Sequence, residues 1–548
     1  MLLDGFTPYM KKEAEKYSKL RWWAGHTFGD MIDKAADIYP DKEAFVDGRS
    51  RYTFAQMREK VNRLGISLME LGVEPLERVL VQLPNWNEFI CAYFAVQKIG
   101  AIPVLLIDRY RQYEINHLIK LTGATVWLVP EKYKKVNYIP IIRDVLKENP
   151  GVAHVVLVRG SSHESLLNME NLIENGAPTE ENLSRLAERR PDPMQVAHMG
   201  PTGGTTGLPK VVPHTHNNYL CRVEYAARRW ELHSRESCLA VAPVGHDLIF
   251  VSLICSTIFT FGRLVMLDST EAEDICRTIQ SEKITAVVWV PTLALRLIHF
   301  DGLDDYDLSS LKKLYCSGGQ SSSDLIRNVV KKLGCVYLNG YGGTEGMITL
   351  TGLNDDLDHV CRTVGKPVCP YDHYKIVDGQ GREQPPNTPG ELLVKGPCIF
   401  TGYYSAPEEN LKMFDRAGYF RTGDVAKIDE AGNITLTGRI KEMINRGGES
   451  ISATEIENLI CDHPGVVNVA VIPMPDPVMG ERVCAYIQTK PGAEIDFEEI
   501  IHFLKGKKAS VLQLPEHIEF VSSLPCTRAG KTDKMALSAD ITKKLYAE

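Results

Sequence analysis

The sequence has little of what marks a secreted, membrane-spanning or nucleic-acid-binding chain. Its start, MLLDGFTPYMKKEAEKYSK, places Asp4 inside the one short apolar stretch and then turns basic, so it lacks the apolar core of a signal peptide. The longest apolar region, Val251 to Leu267, is interrupted by Ser252, Ser256, Thr257, Thr260, Gly262 and Arg263. That composition suits a buried strand–helix stretch and not a membrane span. These absences lead to the expectation of a cytoplasmic protein without a membrane span. The 13 cysteines contain no CxxC pair, and the nearest two, Cys361 and Cys369, stand eight positions apart. A local zinc motif and a dithiol redox motif are therefore not indicated, and reduced, mostly buried thiols are expected. The formal net charge of −8 comes from interspersed signs, with no clustered basic face for nucleic acid. An anionic small molecule can still be held locally.

What is present is a long chain with an ordinary globular balance. Its 548 residues, 44% hydrophobic and 24% charged, suggest two to four folding units with large cores. Thr27 can cap a helix that places Phe28, Met31, Ile32, Ala35 and Ala36 on one face. Asp47-Gly48 reads as a hairpin turn, Ala55–Leu71 as a helix ending at Gly72, Val79–Leu83 as a strand and Glu88–Ile99 as a helix. Ile102–Leu106 reads as a strand, Glu114–Leu121 as a helix and Thr125–Val129 as a strand. This βα rhythm predicts an α/β fold with mostly parallel sheets covered by helices. After a polar stretch from Glu174 to Asp192, buried strands recur at Val287–Val290, Lys313–Cys316 and Val336–Leu338. From about Val364 short alternating segments (Tyr374–Val377, Gly390–Lys395, Asn433–Thr437) predict antiparallel structure. The texture changes again near Arg439, so a boundary is placed near residue 440. Residues 1–440 then form the large unit and 441–548 a small α+β unit, with helices Thr454–His463 and Phe497–Leu504 and strands Val467–Pro473 and Val483–Thr489.

The strongest local signal is Thr202-Gly203-Gly204-Thr205-Thr206-Gly207-Leu208-Pro209-Lys210. Glycines let the backbone approach a ligand, successive N–H groups make an anion nest, and the threonine hydroxyls and Lys210 add donors and charge. Pyrophosphate oxygens need such a cradle. The loop is not a Walker loop, because Pro209 precedes Lys210 and no Gly-Lys-Ser/Thr ending is present. A second signal follows a buried strand: Asn339-Gly340-Tyr341-Gly342-Gly343-Thr344-Glu345. A Thr and a Glu at a strand's C-terminal end sit where α/β sheets place ligands. Thr344 can hydrogen-bond a phosphate, and Glu345 can hold Mg²⁺. Ser317-Gly318-Gly319-Gln320 follows another strand, and Tyr419-Phe420-Arg421-Thr422-Gly423-Asp424 supplies a carboxylate able to accept two hydroxyl hydrogen bonds. Gly438-Arg439-Ile440-Lys441, Gly447-Gly448-Glu449 and Pro525-Cys526-Thr527-Arg528-Ala529-Gly530-Lys531 complete an ordered set.

In that order these segments resemble the motifs of the adenylate-forming superfamily, which includes acyl-CoA synthetases, aryl-acid–AMP ligases, nonribosomal-peptide adenylation domains and luciferases. The resemblance runs from about Thr27 to Lys531. It implies a multilayer N-terminal domain with a distorted β-barrel and a mobile C-terminal lid. It implies ATP, Mg²⁺ and CoA as cofactors, and a small carboxylic acid as substrate. By resemblance Tyr341 stacks near adenine, Gly318, Gly319 and Gln320 line adenine or acyl group, and Asp424 holds the ribose. Arg439 meets ribose or phosphate, Lys441 is the hinge, Gly447 and Gly448 line the pantetheine tunnel, and Lys531 bridges the carboxylate and the nucleotide. The implied chemistry is attack of a carboxylate on the α-phosphorus of ATP, then transfer of the acyl group to a thiol.

The nearest subgroup resemblance is to stand-alone aryl-acid–AMP ligases, through Gly5-Phe6-Thr7-Pro8-Tyr9, Trp23-Ala24-Gly25-His26-Thr27-Phe28-Gly29-Asp30 and Ile444-Asn445-Arg446-Gly447-Gly448-Glu449. The acid pocket departs from that subgroup. Dihydroxybenzoate enzymes carry His-Asn-Tyr where Gly245 is followed here by His246-Asp247-Leu248. The missing Asn and Tyr argue for a cyclic acid, aromatic or alicyclic, without ring hydroxyls, with His246 beside its carboxylate and space at Gly343. CoA is the first choice of thiol. The alternatives are a ligase of the dihydroxybenzoate type that loads a carrier-protein phosphopantetheine, and a non-enzymatic AMP-sensing module. A homodimer is compatible with the sequence.

Overall fold

The computed structural model describes residues 3–161, 163, 165–202, 208–446, 449–490, 492–507, 509–527 and 531–545. The βα rhythm builds two large sheets. Among the described residues one sheet has nine strands and the other seven. In the first, Val336–Gly342, Lys313–Cys316, Ala286–Trp289, Ser237–Ala240, Arg263–Met266 and Glu43–Val46 run parallel in that spatial order. Antiparallel strands close its edges, with Arg51–Thr53 on one side and Ile348–Leu350 and Lys366–Pro367 on the other. In the second, Val196–Pro201, Ile102–Leu105, Arg78–Val81, Val126–Pro130 and His154–Val158 run parallel, and Val211–Thr215 returns antiparallel beside Val196–Pro201.

Local chemistry explains the boundaries. Thr27 and Thr53 each make a reciprocal capping box, with Asp30 and Gln56, and start the helices Phe28–Ile38 and Phe54–Glu70. Helix Asn87–Lys98 is apolar on most sides because it is buried on most sides. One hydrophobic core runs from Phe28 to Tyr404 and takes in both large sheets. The polar stretch at 174–192 holds a helix of its own, Glu180–Glu188, capped by Thr179. The apolar run 251–267 is helix before strand. A π-helical segment Phe250–Cys255 passes into the helix Ser256–Phe259 and then the strand Arg263–Met266. Among the described residues no helix is long and apolar enough to cross a membrane.

Beyond residue 366 the parallel pattern gives way to a four-stranded antiparallel sheet of His373–Val377, Gly390–Lys395, Phe420–Ile428 and Ile434–Arg439. Its strands cover a core of Val394, Phe400, Tyr403 and Phe420. After a short turn, Ile440–Glu442, a separate five-stranded sheet carries its own core of Ile444, Ile456, Val471, Ile487 and Leu504. Helix Lys534–Leu545 packs on its other face through Leu537 and Ile541.

Candidate active site

The strand Val336–Gly342 runs parallel to its neighbour and then pairs antiparallel with Ile348–Leu350. The change of direction needs a tight turn at 343–347. The Gly343 N–H donates to the Met347 carbonyl at 3.1 Å, and the Gly346 N–H to the Gly343 carbonyl at 3.0 Å. Gly346 has φ +118°, and a Cβ there would stand 2.2 Å from the Cys398 carbonyl oxygen. Only glycine fits that conformation and that approach. The Phe400 N–H donates to the Glu345 carbonyl at 2.8 Å, and a His214 ring nitrogen meets the Thr344 carbonyl at 2.6 Å. The backbone of Thr344 and Glu345 is thus fixed from both sides.

The Glu345 carboxylate accepts the Tyr403 hydroxyl on Oε1 at 2.8 Å. Burial raises its pKa above the ordinary carboxylate value. Lys210, at the end of the phosphate loop, lies over the Tyr403 ring at 4.8 Å and pairs with Glu409. The Thr202 N–H donates to the Lys210 carbonyl at 2.8 Å, which closes the base of the loop. Gly203, Gly204, Thr205, Thr206 and Gly207 lie outside the described residues, as do Gly447 and Gly448. Tyr403 and Glu409 are absent from the sequence-based expectation. Neither belongs to a local motif, and only the tertiary contact with Lys210 reveals them.

Asp424 and Arg439 face each other across the antiparallel pair Phe420–Ile428 and Ile434–Arg439. Arg439 Nε donates to Asp424 Oδ1 at 2.7 Å, and the Tyr341 hydroxyl donates to Oδ2. Lys531, 107 positions beyond Asp424, reaches the same place, with its ammonium among Arg439, Glu345, Asp424 and Glu442. Lys531 keeps surface open to solvent while desolvation in this crowd, and then the Arg439 charge, lower its pKa. The hinge candidate Lys441 is exposed in the turn Ile440–Glu442. Its neighbour Glu442 accepts Lys534 at 2.7 Å.

Three candidates do other work. Both Asn339 amide hydrogens are spent, on the Val360 and Thr363 carbonyls at 3.2 and 2.9 Å. A Cβ on Gly340 would strike the Tyr315 ring at 2.3 Å, and one on Gly342 the Met347 carbonyl at 2.8 Å. These positions shape the strand and carry Tyr341.

The acid-pocket candidates converge around one ion pair. His246 Nδ1 accepts the Leu248 N–H at 3.3 Å, which caps the short helix Asp247–Ile249 and leaves the ring proton on Nε2. Burial, and then the Lys531 charge, hold the imidazole below its ordinary pKa, so it is neutral. Asp247 accepts Arg222 Nη2 on Oδ2 at 2.6 Å and the Tyr219 hydroxyl on Oδ1 at 2.8 Å. Arg222 Nη2 also donates to the Gly343 carbonyl at 2.9 Å. Among the described residues, Arg222 Nε and Nη1 have no hydrogen-bond partner. Arg222 escapes a sequence reading because it looks like one more polar residue on a helix. Leu248 faces Gly318, where a Cβ would lie 3.4 Å from its side chain; Gly318 has φ +81°, and Gly319 and Gln320 are exposed. The space expected at Gly343 is filled. A Cβ there would meet Met347 Cε at 2.5 Å and Glu345 Oε2 at 2.7 Å. Gly245 lies against backbone, 2.4 Å from the Leu106 carbonyl oxygen at the Cβ position.

A carboxylate held between Tyr341 and Arg439, a lysine from 107 positions further on coupled to it, and Lys210 over the Tyr403 ring beside Glu345 form one polar centre, and the comparisons name its class. The AMP-binding enzyme family matches residues 32–404, and the AMP-binding enzyme C-terminal domain matches residues 455–531. The chain belongs to this family of adenylate-forming enzymes. It is 33% identical over 547 residues to the 2,3-dihydroxybenzoate-AMP ligase of Bacillus subtilis (strain 168), covering 100% of this chain and 99% of that one. It is 32% identical to a salicylyl-CoA synthase / salicylate adenylyltransferase of a Streptomyces species, covering 98% of each. The apo structure of Mycobacterium smegmatis MbtA superposes with a TM-score of 0.74 at 29% identity, covering 98% of each chain. The protein is an AMP-forming ligase that activates acids with ATP.

Two expected outcomes follow from the packing. Gly245→Ala forces a Cβ against the Leu106 backbone and must displace the 243–248 loop. Acid KM should rise while ATP KM changes little, as steady-state kinetics will show. Arg222→Met leaves Asp247 as a buried unpaired charge and should cost about 3–5 kcal/mol. Arg222→Met/Asp247→Leu should recover much of that loss in denaturant unfolding, and equal instability of both variants would refute the pairing.

Proposed function

We propose that the chain activates a cyclic carboxylic acid, aromatic or alicyclic, as an acyl-adenylate and then transfers the acyl group to CoA. The observation that carries this is the meeting of Lys531 with Glu345, Asp424, Arg439 and His246. A nucleotide-sensing module has no need of a lysine at the point where a carboxylate and an α-phosphate must meet.

In the first half-reaction an oxygen of the acid's carboxylate attacks the α-phosphorus of ATP, and the bond to pyrophosphate breaks. The carboxylate and the phosphate are both anionic, so the chain's task is to hold them together and spread the charge. Lys531 offsets charge on both. The neutral His246 offers an Nε2–H to the carboxylate. Thr344, with its backbone fixed, presents a hydroxyl to the α-phosphate, and Lys210 with the Thr/Gly loop takes the pyrophosphate. Asp424 retains a free lone pair on each oxygen for the ribose hydroxyls, beside Arg439. Glu345 suits Mg²⁺: Oε1 is oriented by Tyr403, and a hard oxygen donor in a desolvated place favours a dication. Mg²⁺ bound there with phosphate oxygens would neutralise developing charge.

In the second half-reaction a thiol attacks the acyl carbon and AMP leaves. We assign residues 1–440 and 441–548 to two domains joined at Lys441, whose rotation withdraws Lys531 and brings Gly447-Gly448 to the thiol. A separate core on each side of the Ile440–Glu442 turn supports a rigid-body motion about it. The similarity to a 2,3-dihydroxybenzoate-AMP ligase favours a second reading, in which the thiol belongs to a carrier protein. For the acid, Asp247 is paired with Arg222, and the two donor atoms of Arg222 without a partner among the described residues favour a ring that carries a hydrogen-bond acceptor.

The test is AMP release from ATP, Mg²⁺ and a panel of cyclic acids, with and without CoA. AMP formation that requires CoA supports the thioester reading; acid-dependent pyrophosphate exchange without CoA use supports a carrier protein; no AMP with any acid refutes the enzyme. Lys531→Ala should abolish adenylation yet leave thioester formation from preformed acyl-AMP within about tenfold, since the lysine serves only the first step. The raised pKa of Glu345 gives a pH prediction. As pH falls its carboxylate is protonated earlier than an exposed Glu, so Mg²⁺–ATP binding should weaken above the ordinary carboxylate range. Glu345→Asp should retain an acid limb and Glu345→Gln lose it.

A further inference from the structure

Three of the 13 cysteines meet. Cys221 lies on the helix His216–Arg229, Cys369 follows the strand Lys366–Pro367, and Cys398 follows the strand Gly390–Lys395. All three are buried free thiols. Their sulfurs lie within 4.8 Å of one another, and the Cys221 and Cys398 sulfurs are 3.6 Å apart. Among the described residues this is the only group of three or more His, Cys, Asp or Glu ligand atoms brought so close.

The spacing is that of a metal site. Zinc–sulfur bonds of about 2.3 Å place the sulfurs of a three-thiolate set about 3.8–4.0 Å apart. The triangle needs only sub-ångström adjustment to reach that geometry. Asp372 Oδ1 accepts the Cys398 N–H at 3.1 Å and fixes that loop. Tyr17 and Trp23 pack over the cluster and keep water from it.

We propose that Cys221, Cys369 and Cys398 form a three-sulfur site for a soft, thiophilic d¹⁰ cation such as Zn²⁺, built behind the turn that carries Thr344 and Glu345. Soft thiolates select such ions. The site is mechanically joined to the catalytic turn. Cys221 precedes Arg222, which donates to the Gly343 carbonyl, and the Cys398 carbonyl fills the space that a Gly346 side chain would need. Occupancy ties the helix and two loops together at the point where they grip the turn.

The experiment uses the untagged full chain. Metal content is measured by elemental mass spectrometry after purification without chelator, and roughly one equivalent of Zn²⁺ or Cu⁺ per chain is expected; either ion upholds the site, and the outcome tells which it takes. The chelator-treated chain is then titrated with Co²⁺, which should give a thiolate-to-cobalt charge-transfer band that Zn²⁺ abolishes. Cys369→Ala should weaken Zn²⁺ binding by on the order of 100-fold or more, since even a supporting partner of a ligand is worth 10–100-fold. Cys526→Ala, an exposed cysteine outside the cluster, should change nothing. The proposal falls if wild-type chain gives no charge-transfer band, if Cys369→Ala binds as well as wild type, or if thiol counting and peptide mapping find two of the three cysteines joined as a disulfide in place of metal. The band is read on wild-type protein, so a poorly folding variant leaves the test intact. None of these readouts depends on adenylation, so their failure is separate from failure of the proposed activity.

Discussion

Arg222 is the side chain on which the joining of three segments around His246 and Gly343 depends. It is 2% exposed, and a guanidinium that deep must be paired or its burial is prohibitive. Its partners come from two distant segments, the Asp247 carboxylate and the Gly343 carbonyl. One charged group therefore fixes the distance between the His246 loop, the turn at 343–347 and its own helix. Such a pair contributes little net stability, because desolvation offsets the attraction, but it penalises every arrangement in which the partners separate. The π-helical segment Phe250–Cys255 follows Asp247 directly and shifts the helix phase by a residue, the kind of irregularity that functional sites retain.

Around Lys531 the charges alternate. Lys531 and Arg439 are cations, and Glu345, Asp424 and Glu442 are anions within their electrostatic reach. Each anion is already held by a protein donor: Asp424 by Tyr341 and Arg439, Glu345 by Tyr403, Glu442 by Lys534. This is preorganisation. The dipoles and charges are oriented before substrate arrives, so little reorganisation is needed when charge moves. Tyr403 links the two halves of the phosphate apparatus, since its hydroxyl orients Glu345 while its ring supports Lys210.

Much of this was legible in order along the chain. Strands such as Lys313–Cys316 and helices such as Phe28–Ile38 announce themselves by period and cap, and the glycine-bearing motifs sit where strands end. What the sequence hides is long-range. Arg222 looks like a helix-surface residue until Asp247 is placed beside it. The room read at Gly343 disappears because Met347, four residues on, folds back into it. Asn339 belongs to a motif by position, yet its amide is consumed by two carbonyls in the 360–363 segment. Cysteine spacing along the chain excludes a local metal motif and is silent about Cys221, Cys369 and Cys398, which converge from three segments.

In the proposed two-step reaction the same contacts confine Lys531 to the first step. Lys531 is held by electrostatics with residues on the far side of the Ile440–Glu442 turn, and Thr527 Oγ1 accepts its backbone N–H at 3.3 Å, so the side chain travels with the C-terminal sheet and not with those residues. Its depressed pKa records the strain of that position, since desolvation and Arg439 both oppose its charge. Once pyrophosphate leaves, the anionic charge that balanced Lys531 falls, and the cost of keeping the ammonium beside Arg439 rises. In the proposed rotation about Lys441, release of pyrophosphate thus itself favours opening, and the proposed second half-reaction draws its driving force from the charge balance of the first.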